Sequence, residues 1–469
     1  MRVCSGTTRQ NEDERMSDAT AATLSPNAVN GRPTPDADPE AGARPTALLP
    51  MTQLLRISLY WLGLTAIDAA VSQYISFRLV YSDIRGDIPL GTATTLLTIG
   101  GALLAIIVQP TVGSISDYAV TKWGRRKPFI VVGSLLDVVF LVGIANSNTL
   151  LALGAFVMLL TFSTNIARGP FQGYVPDLVA EPQVGSASAM VGMMQILGNV
   201  TGLVLANLAA LSGNLQLALF AVAIVELVTM LSVVLKVGKG MPPKSREGRS
   251  WVAIAAETWG TDILQERSYL WLVASRLFFL TASGILFAYV TAYMKYAFRM
   301  SQEEAAVTNL VLIVAVVFGN LVAIVPASRI SDRIGRKPVI YAACGIGAAG
   351  AAIAALAPTV PIAIMGGTLF GAAGGIFLAV DWALMTDIIP RASAGRYMGM
   401  SNVATGSAPL FAAAIGGLVL DVVAGQSTDA AGARAAFLAG VVLFLIAAVL
   451  LRPVVEPPRG GGRTAPAVA

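Results

Sequence analysis

Residues 113 to 128 read Gly113-Ser114-Ile115-Ser116-Asp117, a spacer from Tyr118 to Trp123, and then Gly124-Arg125-Arg126-Lys127-Pro128. The pattern returns as Ser328-Arg329-Ile330-Ser331-Asp332-Arg333-Ile334-Gly335-Arg336-Lys337-Pro338, with the two aspartates 215 positions apart. Each copy is a short basic loop between two long apolar stretches. A chain built from two homologous membrane halves accounts for both copies. Gly113 lets two helices approach closely, and Ser328, its counterpart, is still small. Asp117 and Asp332 fall at a membrane boundary, where a helix N-terminus and the loop arginines can stabilise a carboxylate. Contacts among Asp117, Gly124, Arg125 and Arg126, and among Asp332, Arg333, Gly335 and Arg336, can latch one bundle to another. Basic residues that only set topology would not explain an acidic and a small residue at fixed offsets in both copies.

Composition agrees. Hydrophobic residues make up 55% of the chain, charged residues 13%, and mean hydropathy is +0.70. An ordinary soluble domain carries about 25% charge, so lipid solvates most of this chain. A spanning helix needs about 20 mostly apolar residues. Twelve stretches qualify: 55–80, 89–112, 129–146, 150–176, 186–210, 215–236, 269–293, 305–327, 338–357, 361–386, 396–420 and 433–452. The expected class is an all-α membrane protein. Gly, Ser, Thr and Asn interrupt several stretches, as they do where membrane helices touch or line water.

Lysine and arginine set the orientation. With residue 50 placed in the cytoplasm, the inner loops carry sixteen basic residues and the outer loops four, namely Arg85, Lys295, Arg299 and Arg434. The positive-inside rule then puts both termini in the cytoplasm and the chain in the cytoplasmic membrane. The net charge of +5 reflects this topology and calls for no nucleic acid. Residues 1–50 have no apolar core and read as a disordered cytoplasmic tail and not a signal peptide. Residues 51–236 form one expected six-helix bundle and 269–452 the other. Between them, 237–268 is a cytoplasmic linker in which Trp251 to Leu264 can lie as an amphipathic surface helix, and 453–469 is a second disordered tail. The two cysteines, Cys4 and Cys344, allow neither a disulfide framework nor a metal cluster. Histidine is absent, so proton handling falls to carboxylates.

With these features the chain resembles the major facilitator superfamily over residues 51 to 455. A second duplicated signature agrees: Asp177, Gly185 and Met190 match Asp387, Gly395 and Met400 at the same offsets of 8 and 13. The resemblance implies two six-helix bundles, each of two inverted three-helix repeats, with a substrate site between them near the bilayer midplane. The first loop, with six residues between Asp117 and Gly124, is similar to that of the sucrose symporters and their glycoside-pentoside-hexuronide relatives. Asn165, Gly169, Pro170, Asp177 and Leu178 also match the sucrose-carrier pattern. That pattern has Gln before the Gly-Pro and Arg two residues after it; here Arg168 precedes and Gln172 follows, moving the guanidinium about one turn along the same face.

A charge inside the membrane is costly unless paired or wet. Asp68, Arg168, Arg276 and Asp381 lie on the first, fourth, seventh and tenth stretches, which line the central cavity in the resembled fold. One acid and one base fall to each bundle. Thr65, Asp68 and Ser72 share one helix face, and Asn165, Arg168 and Gln172 another. Asp68 is either a proton-coupling carboxylate or half of a permanent ion pair with Arg168. Arg276 either clasps a substrate oxygen or snorkels to headgroups. Beside Asp381, Trp382 either stacks on a sugar face or anchors at the interface. Asp137 and Glu226 are single acids on stretches expected at the flank, and Glu226 reads as a pairing or boundary feature.

The expectation is a secondary transporter of a small polar solute, a sugar or glycoside, working by alternating access with a proton as coupling ion, sodium being the other candidate. No other cofactor and no metal is called for, and the protein is expected to act as a monomer. An efflux transporter for amphipathic metabolites or drugs, or a sensor that binds without turnover, would use the same fold. No nucleophile–base pair or phosphate loop suggests an enzyme.

Overall fold

The computed structural model describes residues 47–240, 242, 248, 250, 267–388 and 394–456. Twelve helices in them are long and apolar enough to cross a bilayer. They are α1 (Met51–Tyr81), α2 (Leu90–Ser116), α3 (Lys127–Ala145), α4 (Leu150–Gln172), α5 (Val184–Leu211), α6 (Gln216–Lys236), α7 (Arg267–Phe298), α8 (Gln302–Ile334), α9 (Arg336–Leu356), α10 (Val360–Ile388), α11 (Ala394–Gln426) and α12 (Asp429–Leu450). A five-residue helix, Tyr174–Leu178, and a 3-10 turn, Glu181–Gln183, follow α4. The end that carries residues 117–126 and Gly335 is called the motif end below, and the opposite end the far end.

Local chemistry fixes several starts. Thr149 and Thr428 cap α4 and α12 through their hydroxyls. Ser301 and Glu304 form a reciprocal capping box at α8, so two orphan amides are satisfied at once. Outward-facing apolar residues then recur every three or four positions, as in Val311, Val314, Phe318, Leu321, Val322 and Val325 of α8. On a spanning helix that stripe is solvated by lipid tails, so its exposure costs nothing.

The halves repeat one packing scheme. In the first, α1 packs on α5 and α6, and α4 on α2 and α3; in the second, α7 packs on α11 and α12, and α10 on α8 and α9. Across the halves, α2 meets α11, α5 meets α8, and α1 meets α7.

The two copies of the basic motif fold differently. Asp117 to Arg126 form a true loop, but Ser328 to Ile334 continue α8 to its last turn, so the turn in the second copy is confined to Gly335. Gly335 takes φ 107°, a region that a side chain would strain. Residues assigned to both expected tails are held to the helices. Leu49 exchanges two hydrogen bonds of 2.8 Å with the Gln183 side chain, which ties down residues placed in the N-terminal tail. At the other end Glu456 accepts from the backbone N–H groups of Arg336 (2.8 Å) and Lys337 (3.2 Å). A carboxylate at a helix N-terminus satisfies orphan donors and the helix dipole together. Val455 also donates to Ser268, so residues 453–456 are held against α7 and α9. The expected surface helix from Trp251 to Leu264 lies outside the described residues.

Candidate functional site and its gates

Asp68 and Arg168 meet between α1 and α4, with Arg168 Nη2 2.5 Å from Asp68 Oδ2. The Asp68 side chain is 50% exposed and that of Arg168 19%. Asp68 belongs to an open polar strip on an otherwise buried helix: Ser72 is exposed, while Thr65 and Ser76 are partly so. Such a strip needs water or a polar ligand against it. On α4 the sequence-expected face divides. Gln172 is exposed, but Asn165 is buried and donates to Thr161 O in its own helix. Asn165 therefore does not share the open surface with Arg168.

The second half pairs its acid and base as well. Arg276 Nη1 donates to Asp381 Oδ2, and Arg276 Nε donates to Thr405 Oγ1 at 3.2 Å. This pair is buried, with 6% of Arg276 and 1% of Asp381 exposed, so the arginine is held by protein and does not reach for headgroups. The side chains of Trp382 and Asp387 lie outside the described residues.

The motif loop builds a staple within the first half. Arg125 Nη2 donates to Asp177 Oδ1 at 2.7 Å and Arg126 Nε to Asp177 Oδ2 at 2.6 Å, while Arg126 Nη2 reaches Asp117 at 3.0 Å. Asp177, Arg125 and Arg126 are buried, so removing one partner costs far more than breaking a surface pair would. It ties α2, α3 and the Tyr174–Leu178 helix together. In this conformation the loop therefore holds its own half together, where the sequence reading had it latch one bundle to the other. Arg125 and Arg126 sit directly before α3 and turn back onto the nearest carboxylates, those of their own half. Tyr174 packs against the same network; burial pushes its phenol above the ordinary range, while Arg126 pulls it down and Asp177 pushes it up. Asp332 and Arg333 are exposed on the last turn of α8, and Arg336 contributes its amide to Glu456.

Gly113 plays a smaller part than its place in the motif suggests. A Cβ on Gly113 would lie 3.5 Å from Gly169, an ordinary contact, whereas one on Gly169 would lie 2.3 Å from Gln109 O. The close approach of α2 and α4 is thus enforced from Gly169. Gly124 is needed for its own reason: its φ is 97°, and a Cβ would lie 2.7 Å from Lys239 O.

Contacts between the halves gather at the far end. Asp421 on α11 accepts from the N–H groups of Gly91 (2.8 Å) and Thr92 (2.7 Å) and from the Thr92 hydroxyl (2.8 Å), capping α2 from the other half. Gln73 donates to Thr291, Lys295 to Val80 O, Tyr81 to Met300 O and Gln302 to Ala210 O. Phe77, Ala210 and Ala306 close a small apolar plug beside them. Sequence reasoning missed all of these. A lone Asp421 near the end of a span is a weak signal, and its partner amides stand 330 and 329 residues away.

A second missed group lies inside the first half. Asp137 of α3 accepts from Ser163 and Thr164 of α4, and Glu226 of α6 accepts from Tyr60 of α1 at 3.2 Å. Both acids are fully buried, and Glu226 is the pairing feature that one of its two readings made it, not a boundary one.

The model of the Major Facilitator Superfamily matches residues 57–319 and 271–468, and the chain belongs to that superfamily. Together with the twelve helices of spanning length among the described residues, this makes it a multi-pass membrane protein. Among curated relatives, the sucrose transport protein SUT1 of Oryza sativa subsp. japonica is 28% identical over 131 residues, which cover 23% of this chain and 24% of the rice protein. The general alpha-glucoside permease of Schizosaccharomyces pombe is 31% identical over 131 residues, 24% of each chain. The chain thus spans about a quarter of the length of these relatives. Among solved structures, a bacterial homologue of the human lysosomal transporter Spinster, inward-facing and occupied, aligns with a TM-score of 0.65 at 14% identity, covering 86% of this chain and 96% of that one. The nucleoside transporter NupG aligns at 0.63 and 13% identity, covering 87% and 99%. At such identities the structural likeness speaks for the fold.

Proposed function

We propose that this chain is a secondary active transporter that moves a small polar solute, a sugar or glycoside, by alternating access and couples that movement to protons. The observation that carries the reading is the Asp68–Arg168 pair, ionic at mid-helix yet open on the Asp68 side. A coupling carboxylate must be reached by a proton, and the exposed side of Asp68 leaves that path open. Loading a proton on Asp68 removes the charge that holds Arg168, which frees its guanidinium for a substrate hydroxyl or for a new partner. The sugar class is supported by the sucrose transport protein and the alpha-glucoside permease among the relatives.

The far-end contacts support a state closed on that side. With the motif end assigned to the cytoplasm by its basic loops, this is a conformation that loads or releases solute inside. Transport then requires that solute and proton together favour breaking the far-end set, since a ligand with equal affinity for both states shifts nothing. The test is uptake of radiolabelled sucrose and maltose into proteoliposomes with an imposed inward proton gradient. Accumulation that a protonophore collapses is the expected result. Uptake indifferent to the gradient would remove the coupling, and movement of amphipathic cations in place of saccharides would remove the substrate class.

A further inference from the structure

Behind the open pair, the first half encloses two more carboxyl groups. Asp137 is the eleventh residue of α3 and Glu226 the eleventh of α6, so each sits about midway along its helix. The Tyr60 hydroxyl lies 2.5 Å from Ser134 Oγ, one turn before Asp137, and 3.2 Å from Glu226 Oε1, which brings the two acids to one place, and both are 0% exposed. The polar groups facing them come from three helices: Tyr60 from α1, Ser134 from α3, and Ser163, Thr164 and the charged Arg168 from α4. The hydroxyls supply donors to Asp137 Oδ1 and Glu226 Oε1, but Asp137 Oδ2 and Glu226 Oε2 are buried without a donor.

Two like charges in contact, out of water, repel strongly, and a buried acceptor without a donor carries a further penalty. One proton placed between the carboxyls removes both penalties. Metal coordination is a poorer match, because no cluster of three metal-ligating residues occurs among the described residues. Arg168 supplies the link outward, since its guanidinium pairs with Asp68 and also lies within electrostatic reach of Asp137.

We propose that Asp137 and Glu226 form a proton-binding site sealed inside the first half, which holds one shared proton and whose occupancy Arg168 couples to the state of Asp68. Only the coupling clause rests on the proposed transport reading; the shared proton stands without it. When Asp68 is neutral, Arg168 turns its full charge on the interior pair and favours loss of that proton.

Infrared difference spectroscopy of the full chain in phosphatidylcholine–phosphatidylglycerol nanodiscs tests both parts without a substrate. At neutral pH a protonated-carboxyl stretch should be present, shift in heavy water, disappear in both Asp137→Asn and Glu226→Gln, and survive in Asp68→Asn. If the stretch persists in both interior variants, the site is overturned. The wild type guards against misfolded variants: absence of the stretch at every pH where the protein is folded, or its loss on adding sodium at constant pH, also overturns the shared proton. For the link, the pH midpoint of the band should fall by about one unit in Asp68→Asn, a tenfold weakening of proton affinity. An unmoved midpoint overturns the link alone. Failure of gradient-driven sugar uptake would leave this spectroscopic result unaffected, so the two readings fail separately.

Discussion

Asp177 carries four N–H···O contacts from two arginines in a buried setting. Replacing it with Asn leaves two guanidinium groups facing a neutral amide, and breaking a buried ion pair this way costs on the order of 3 kcal/mol. A clearly lowered melting temperature of Asp177→Asn in detergent is the expected outcome, with Asp117→Asn milder because Asp117 is partly exposed. Asp68→Asn differs in kind. It should abolish accumulation against a gradient while leaving counterflow exchange measurable; equal loss of both would mean that the pair is structural. The pairing of Asp68 with Arg168 was legible in the sequence, because charge inside an apolar run is rare, and Asp177 stood out because its signature is duplicated. What Asp177 holds was not, because its arginine partners stand 51 and 52 residues away.

At the level of the helix, the α2–α4 contact separates two glycines that the sequence ranks the other way. Gly169→Ala forces a Cβ against the Gln109 carbonyl and should lower stability and yield, whereas Gly113→Ala should be tolerated, read from melting curves of the purified variants. If both are tolerated, the backbones are free to part and the contact is not tight. The twelve spans could be read from apolar run length, and most of their ends within a few residues. The end of α8 could not, because Arg329, Asp332 and Arg333 give that stretch the polarity of a loop while its backbone stays helical to Ile334. Polarity reports where water begins; it does not report where a helix stops.

For the molecule as a whole, the proposed transport cycle requires the far-end set to break when that side opens. Asp421→Ala removes three hydrogen bonds at once and leaves the α2 amides uncapped. In a cysteine-free background carrying Ser72→Cys, a membrane-impermeant thiol reagent added at the far end should label faster once Asp421 is replaced. Equal rates would mean that Asp421 is no part of the closure. The partners of Asp421 are amides and a hydroxyl, so raising ionic strength should change the labelling little, in contrast to an arginine-based latch. The two-fold plan was legible from the repeated motif, but the joining surface was not, because it is built from unrepeated residues such as Gln73, Asp421 and Lys295.

Residues 453–456 reach back past α7 to seat Glu456 on the first amides of α9. Where the reading frame is cut or extended therefore matters in practice. A reporter or purification handle joined after residue 469 leaves this buckle fastened, while a stop codon placed at residue 454 removes it. Three helix ends would then separate beneath the second half, and the shortened protein should lose tolerance to detergent before it loses membrane insertion.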